Sequence, residues 1–304
     1  MSASAGPYRG IYPMLYAFFD GGGGLDRAAM RRQIDFCVEA GVQGLAVLGL
    51  ATEVDKLTAE ERRLLLDWTV EDLAGRLPLA VTVFGNSVEE HAEFLALVET
   101  AGADWAILQP PRRPGLSEAE CRDFFSEVMA RTRLPLAIQN APEYLGIGLS
   151  PAGIEELRRR HDNFVLLKGE GPALTIRETI EATGGRLAVF NGRNGLELPD
   201  NLRAGCAGMI PGPETCALQA RIFALMQEGD EAAEAEAEAL YRRILPVLTF
   251  VMQSLETLHC YGKRVLAWRL GLEAVQDRQP ALAPSEFGLA CARRYAAELE
   301  RTEA

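Results

Sequence analysis

Histidine and tryptophan are scarce in this 304-residue chain, with three of each. His91, His161 and His259 are widely dispersed, and the six cysteines form no CxxC pair, so neither a metal site nor a disulfide framework is indicated. The cysteines read as free thiols of a reducing compartment. No GxGxxG follows the first apolar run. The glycines at 21–24 lack a following Lys-Ser/Thr and mark a turn, not a phosphate loop. No apolar run is long enough to span a bilayer, and the opening MSASAGPYRG lacks an apolar targeting segment, so a cytoplasmic protein is expected. Positive charge is in deficit, with 31 Lys and Arg against 43 Asp and Glu, a net charge of −12. Such a surface argues against nucleic-acid and anionic-membrane partners and leaves a small molecule as the expected one.

What the chain does have is a regular alternation of short apolar runs and amphipathic segments. Strands are predicted at 12–19, 44–48, 79–84, 105–109, 135–139, 164–168, 187–191 and 208–211. Helices are predicted at 27–40, 58–74, 87–100, 117–131, 150–160, 173–182, 196–204 and 214–227. Asp26 is placed as an N-cap, and Thr58 with Glu61 as a capping box. Eight β-then-α units of about 27 residues each, with strands apolar throughout, predict an α/β fold of the closed (β/α)₈ TIM-barrel type. A doubly wound sheet is the alternative. The barrel is placed at 1–228. Residues 229–304, opening on GDEAAEAEAEALYRR, are read as a C-terminal helical extension packed on it.

Lysine is the other scarce residue. Only Lys56, Lys168 and Lys263 stand among the 31 basic residues. Arginine serves most surface roles of lysine but neither deprotonates nor forms an imine. Lys168 ends the run Phe164-Val165-Leu166-Leu167, at the C-terminal end of a strand, where barrel enzymes hold their chemistry. An amine buried there without a close counter-ion is expected to be free to attack a ketone. The competing reading pairs Lys168 with a carboxylate such as Glu170. Lys56 and Lys263 read as exposed or structural.

With these residues in place the chain resembles the dihydrodipicolinate synthase / N-acetylneuraminate lyase family over about residues 8–230. Gly49, Leu50, Ala51, Thr52 and Glu53 stand where that family has its Gly-Thr-Thr-Gly-Glu loop. Gln139-Asn140-Ala141-Pro142 stands on its Tyr-Asn-x-Pro motif, and Lys168 on its Schiff-base lysine. Phe190-Asn191-Gly192-Arg193 is similar to the substrate-contacting loop of its lyase branch. The resemblance implies an imine-forming lyase or aldolase acting on pyruvate or another small 2-oxo acid, without metal or organic cofactor. It also implies a homotetramer or homodimer. Lys168, Gln139 and Tyr144 are the expected catalytic residues. Gly49, Leu50, Ala51, Thr52, Glu53, Asn191, Arg193 and Pro211 are expected to bind substrate. Thr52 would offer its hydroxyl, Glu53 would buttress the loop by accepting backbone N–H bonds, and Arg193 would clamp a distal anion.

Several positions depart from the family pattern. Gln139 replaces the proton-shuttling tyrosine, and an amide is no acid or base near neutral pH. Leu50 and Ala51 replace two threonines, and Tyr144 replaces the arginine used by dihydrodipicolinate synthase for its second substrate. Tyr144 or Glu143 is then the candidate shuttle, with Glu143 better read as a loop residue. Three outcomes stay open: an aldolase, a dehydratase of a 2-keto-3-deoxy sugar acid, or a non-catalytic ligand-binding relative. His91 and His161 are expected away from the catalytic face, and His259 falls in the C-terminal region.

Overall fold

The computed structural model describes residues 7–303. Eight parallel strands form one sheet: β1 Gly10–Ile11, β2 Leu45–Val47, β3 Leu79–Val83, β4 Trp105–Leu108, β5 Leu136–Asn140, β6 Phe164–Gly169, β7 Ala188–Asn191 and β8 Gly208–Met209. Pairing runs from β2 in sequence to β8, and β8 pairs with β1. The seam between β1 and β2 is closed just past β1. There Met14 bridges Ala46, the Leu15 N–H donates to the Ala46 carbonyl (2.8 Å), and the Ala46 N–H donates to Pro13 (2.9 Å). The sheet is therefore a barrel, as predicted.

The predicted first strand differs most. Regular pairing covers only Gly10–Ile11, although residues 12–19 are all buried. Pro13 has no N–H to give a ladder, so beyond Ile11 the chain makes single bonds to either side instead. The eighth strand is short for the same reason, since Pro211 and Pro213 follow it. Gly208 is required where β8 meets β1: a Cβ there would lie 1.8 Å from the Gly10 carbonyl oxygen.

The helices follow the capping signals. Asp26 accepts from the Ala29 N–H (3.0 Å), opening helix Arg27–Glu39. Thr58 and Glu61 form the reciprocal capping box of helix Ala59–Leu73. An antiparallel return in each unit sets every helix N-terminus near the C-terminal ends of the strands. Low in the barrel, Tyr12, Trp105 and Phe190 fill the interior edge to edge, with ring centroids 5.3–5.7 Å apart. The cavity lined by Lys168 lies beyond this plug, toward the strands' C-terminal ends.

Helix Cys216–Glu228 stops at Gly229, and Asp230 caps the next helix, Glu231–Val251, which packs back on it. The chain then crosses the barrel mouth. Met252, Leu255 and Leu258 line the same cavity as Lys168. A π-helical turn, Leu258–Gly262, leads into helix Lys263–Arg269, and helix Glu286–Glu303 completes the fold. Among the described residues no helix is long and apolar enough to cross a membrane.

Candidate active site

Gln139, Lys168 and Phe190 are in register across β5, β6 and β7. Side chains at i and i+2 of a strand share a face, so Glu170 follows Lys168 into the same space. Lys168 is 4% exposed and Glu170 7%, and the amine Nζ lies 2.9 Å from Glu170 Oε1. The expectation of an amine without a counter-ion is thus corrected. The amine and its carboxylate are paired, and both line a cavity at the barrel mouth with Leu50, Ala51, Arg193 and Pro211. The cavity encloses about 30 Å³. That is room for about two water molecules, so a substrate of several carbons enters only if covering side chains such as Met252 or Leu255 turn aside.

Glu170 is fixed from behind. Gln139 Nε2 donates to its Oε1 at 2.7 Å, and Gln109 Nε2 donates to Gln139 Oε1 at 2.8 Å. The resemblance places Gln139 among the catalytic residues. Both of its amide ends are instead committed to this chain, so it positions Glu170. The ring of His91 lies 3.0 Å from the Gln109 carbonyl oxygen through Nε2. His91 is in the first turn of helix Val88–Ala101 and fully buried, with burial pushing its pKa down. A helix start sits at the catalytic end, so the expectation that His91 lies away from that face is corrected. Gly192 passes close to Glu170, and a Cβ on it would meet the carboxylate at 2.7 Å.

The loop at 49–53 works differently from expectation. The Thr52 hydroxyl donates to the Leu15 carbonyl at 2.6 Å and is not free for a ligand. The Gly49 N–H points at Met14 Sδ (3.2 Å). Among the described residues the N–H groups of Leu50, Ala51 and Thr52 find no acceptor. Glu53 buttresses the loop through ion pairs, not backbone bonds. It holds Lys56 (2.5 Å) and Lys263. Burial alone would raise the Glu53 pKa, but Lys263, His259 and Lys56 together hold it below the usual carboxylate range. Lys263 is fully buried and structural, and His259 Nε2 reaches the Leu50 carbonyl at 2.9 Å.

At the end of β7, Asn191 is a staple, not a ligand-binding group. It donates to Gly171 O (2.9 Å) and Asn201 Oδ1 (2.8 Å) and accepts from the Gly192 N–H (2.9 Å). Arg193 lines the cavity, paired to Glu197 at 3.1 Å. Pro211 lines it too, while its carbonyl accepts from Met14 N (2.7 Å). Tyr144 is half-buried on the short helix Pro142–Leu145. Burial and Glu170 raise its pKa, against the pull of Arg193. Glu143 is exposed.

Residues 7–287 match the model of the dihydrodipicolinate synthetase family. The chain belongs to that family. The match runs well past residue 230, into the C-terminal helices that cover the mouth. An L-2-keto-3-deoxyarabonate dehydratase from Azospirillum brasilense is 28% identical over 255 residues, 82% of this chain and 81% of that protein. A "probable 2-dehydro-3-deoxy-D-pentonate aldolase" from Escherichia coli (strain K12) is 26% identical over 285 residues, 89% and 93% of the two lengths. In fold, a dihydrodipicolinate synthase from Thermotoga maritima superimposes with a TM-score of 0.88 at 21% identity, over 96% of this chain and 99% of that one. As a dihydrodipicolinate synthetase family member the chain is an imine-forming lyase acting on a small 2-oxo acid.

The residues missed by sequence reading are Glu170 as a working group, Gln109 and His91. Only Glu170 carried a signal: it stands two positions after the lysine on one strand.

Proposed function

We propose that this protein dehydrates a 2-keto-3-deoxy sugar acid through an imine on Lys168, with Glu170 as the acid–base group. The observation that supports it is the buried carboxylate 2.9 Å from the amine, standing in for the absent tyrosine. Glu170 accepts the proton that the amine sheds before attacking the C2 ketone. Glu170 returns that proton to the carbinolamine hydroxyl, which leaves as water and gives the iminium, which acidifies the neighbouring C3–H. Glu170 takes that proton, leaving an enamine. Expulsion of the C4 hydroxyl, protonated as it leaves, gives a conjugated iminium, and hydrolysis returns Lys168. The imine nitrogen and C3 are both bonded to C2, so a carboxylate beside the nitrogen is within reach of the C3 proton, whereas aldol cleavage requires a base farther out, at the C4 hydroxyl. Tyr144, next to Arg193, supports that second reading. The unpartnered N–H groups of Leu50, Ala51 and Thr52 are suited to the substrate carboxylate. The shared ancestry with the Azospirillum dehydratase supports the substrate class.

We propose further that the protein is a cytoplasmic homo-oligomer. In support, its six cysteines are all free thiols, and apolar Leu174 and Phe287 are about 80% exposed. Analytical ultracentrifugation tests the assembly.

The functional test is borohydride reduction in the presence of pyruvate, with intact mass and peptide mapping, followed by product analysis on 2-keto-3-deoxy acids. An adduct on Lys168 and a product with its carbon skeleton intact are expected. Pyruvate and an aldehyde as products select the aldolase reading. Absence of any adduct on Lys168 refutes both.

A further inference from the structure

The segment after β7 is held in an unfavourable backbone conformation. Arg193 (φ 53°), Asn194 (φ 56°), Gly195 (φ 88°) and Glu197 (φ 59°) all lie in the left-handed region. Three of the four carry side chains, and such residues persist only where their surroundings over-determine them. The clamp is visible. Asn194 Nδ2 donates to Glu214 Oε1 (2.5 Å), and the Gly212 N–H donates to Asn194 Oδ1 (2.5 Å). Gln219 Nε2 donates to the Asn194 carbonyl (3.1 Å), and the Glu197 N–H donates to the Tyr241 hydroxyl (2.6 Å).

Glu214 is the centre of this clamp and is completely buried, where a carboxylate is costly to keep. Its other oxygen accepts from the Tyr16 hydroxyl at 2.8 Å. It does not line the cavity, but the two groups that its clamp joins, Asn194 and Gly212, both do, as does Arg193. Arg193 is braced by Glu197.

We infer that Glu214 is a positioning residue. It holds the left-handed loop so that Arg193 faces the lysine across the cavity, and it thereby selects 2-oxo acids carrying an anionic or hydroxylated far end. The inference rests on the imine-forming reading of Lys168.

The test compares three acids by the concentration that half-saturates borohydride trapping: pyruvate, 2-oxoglutarate and 2-oxopentanoate. The last two have equal chain length and differ in a carboxylate against a methyl at the far end. Wild type is expected to favour 2-oxoglutarate over 2-oxopentanoate. In Glu214→Gln two charged acceptors become one neutral acceptor and one donor, so Asn194 and Tyr16 can no longer both donate and the clamp loses its charge-assisted bonds. Half-saturation for 2-oxoglutarate should rise about tenfold or more, the charge-assisted bond being lost, while values for pyruvate and 2-oxopentanoate stay within about twofold. In an Arg193→Met background the same substitution should have no further effect. Equal losses for all three acids would mean general damage and overturn the inference, as would unchanged selectivity or penalties that add to those of Arg193→Met. If Glu214→Gln is not recovered folded, Asn194→Ser breaks the same contact and is read the same way. A wild type that traps none of the acids removes the imine reading itself, whereas a wild type that traps them with unaltered selectivity in the variant removes only this inference.

Discussion

Replacing Glu170 by glutamine separates imine formation from proton abstraction. The substitution keeps size and one hydrogen-bond acceptor but removes the carboxylate that, among the described residues, contacts the Lys168 amine. A positioned general base is worth about 10²- to 10⁴-fold in rate, or roughly 3–5 kcal/mol of barrier. The geometry argues for the upper half of that range, because the cavity of about 30 Å³ leaves little room for a water to substitute. The assay is exchange of the pyruvate methyl protons with deuterated solvent, followed by proton NMR, which reads C3 deprotonation without requiring the natural substrate. Wild type should exchange. Glu170→Gln should exchange at least about 10²-fold more slowly, while borohydride still traps pyruvate on Lys168 at raised pH. Exchange within about threefold of wild type would show that Glu170 is not the base and that the pair is only structural.

Gly192→Ala places a methyl 2.7 Å from the Glu170 carboxylate and, at φ −92° and ψ −123°, sets a side chain in a disfavoured backbone region, so the carboxylate and the loop must both adjust. Exchange should fall about tenfold or more, since a displacement of order 1 Å at a base is enough for that, and the melting temperature should drop with the backbone strain. Glu53→Gln breaks the buried pairs with Lys56 and Lys263 and should cost about 3–5 kcal/mol in urea unfolding at neutral pH. Because the folded Glu53 pKa lies below its unfolded value, this contribution is complete above the ordinary carboxylate range and fades as pH falls through the folded value. The gap between wild type and Glu53→Gln should therefore narrow below about pH 4; a gap that widens there contradicts the assignment.

The barrel was legible because its signals are local. Apolar runs of strand length, Asp26 and the Thr58–Glu61 pair each act within a few residues, and the structure uses all of them. Strand ends were less legible at Pro13 and Pro211, where a missing N–H stops a ladder that the apolar pattern continues. Lys168 was legible for a chemical reason: a lysine in an arginine-rich chain, at the end of a buried strand, can do what arginine cannot.

Tertiary structure alone decided which polar groups are free to act. Thr52 spends its hydroxyl on Leu15, 37 positions earlier, and Glu214 meets Tyr16 across 198 positions. Asn191 is held by Gly171 and Asn201, and Gln139 by Glu170, 31 residues on. Hydrogen-bonding capacity is finite and is consumed by whichever neighbours the closed barrel brings within reach. A sequence states how many donors and acceptors exist, while the fold determines which of them still have one to offer a substrate.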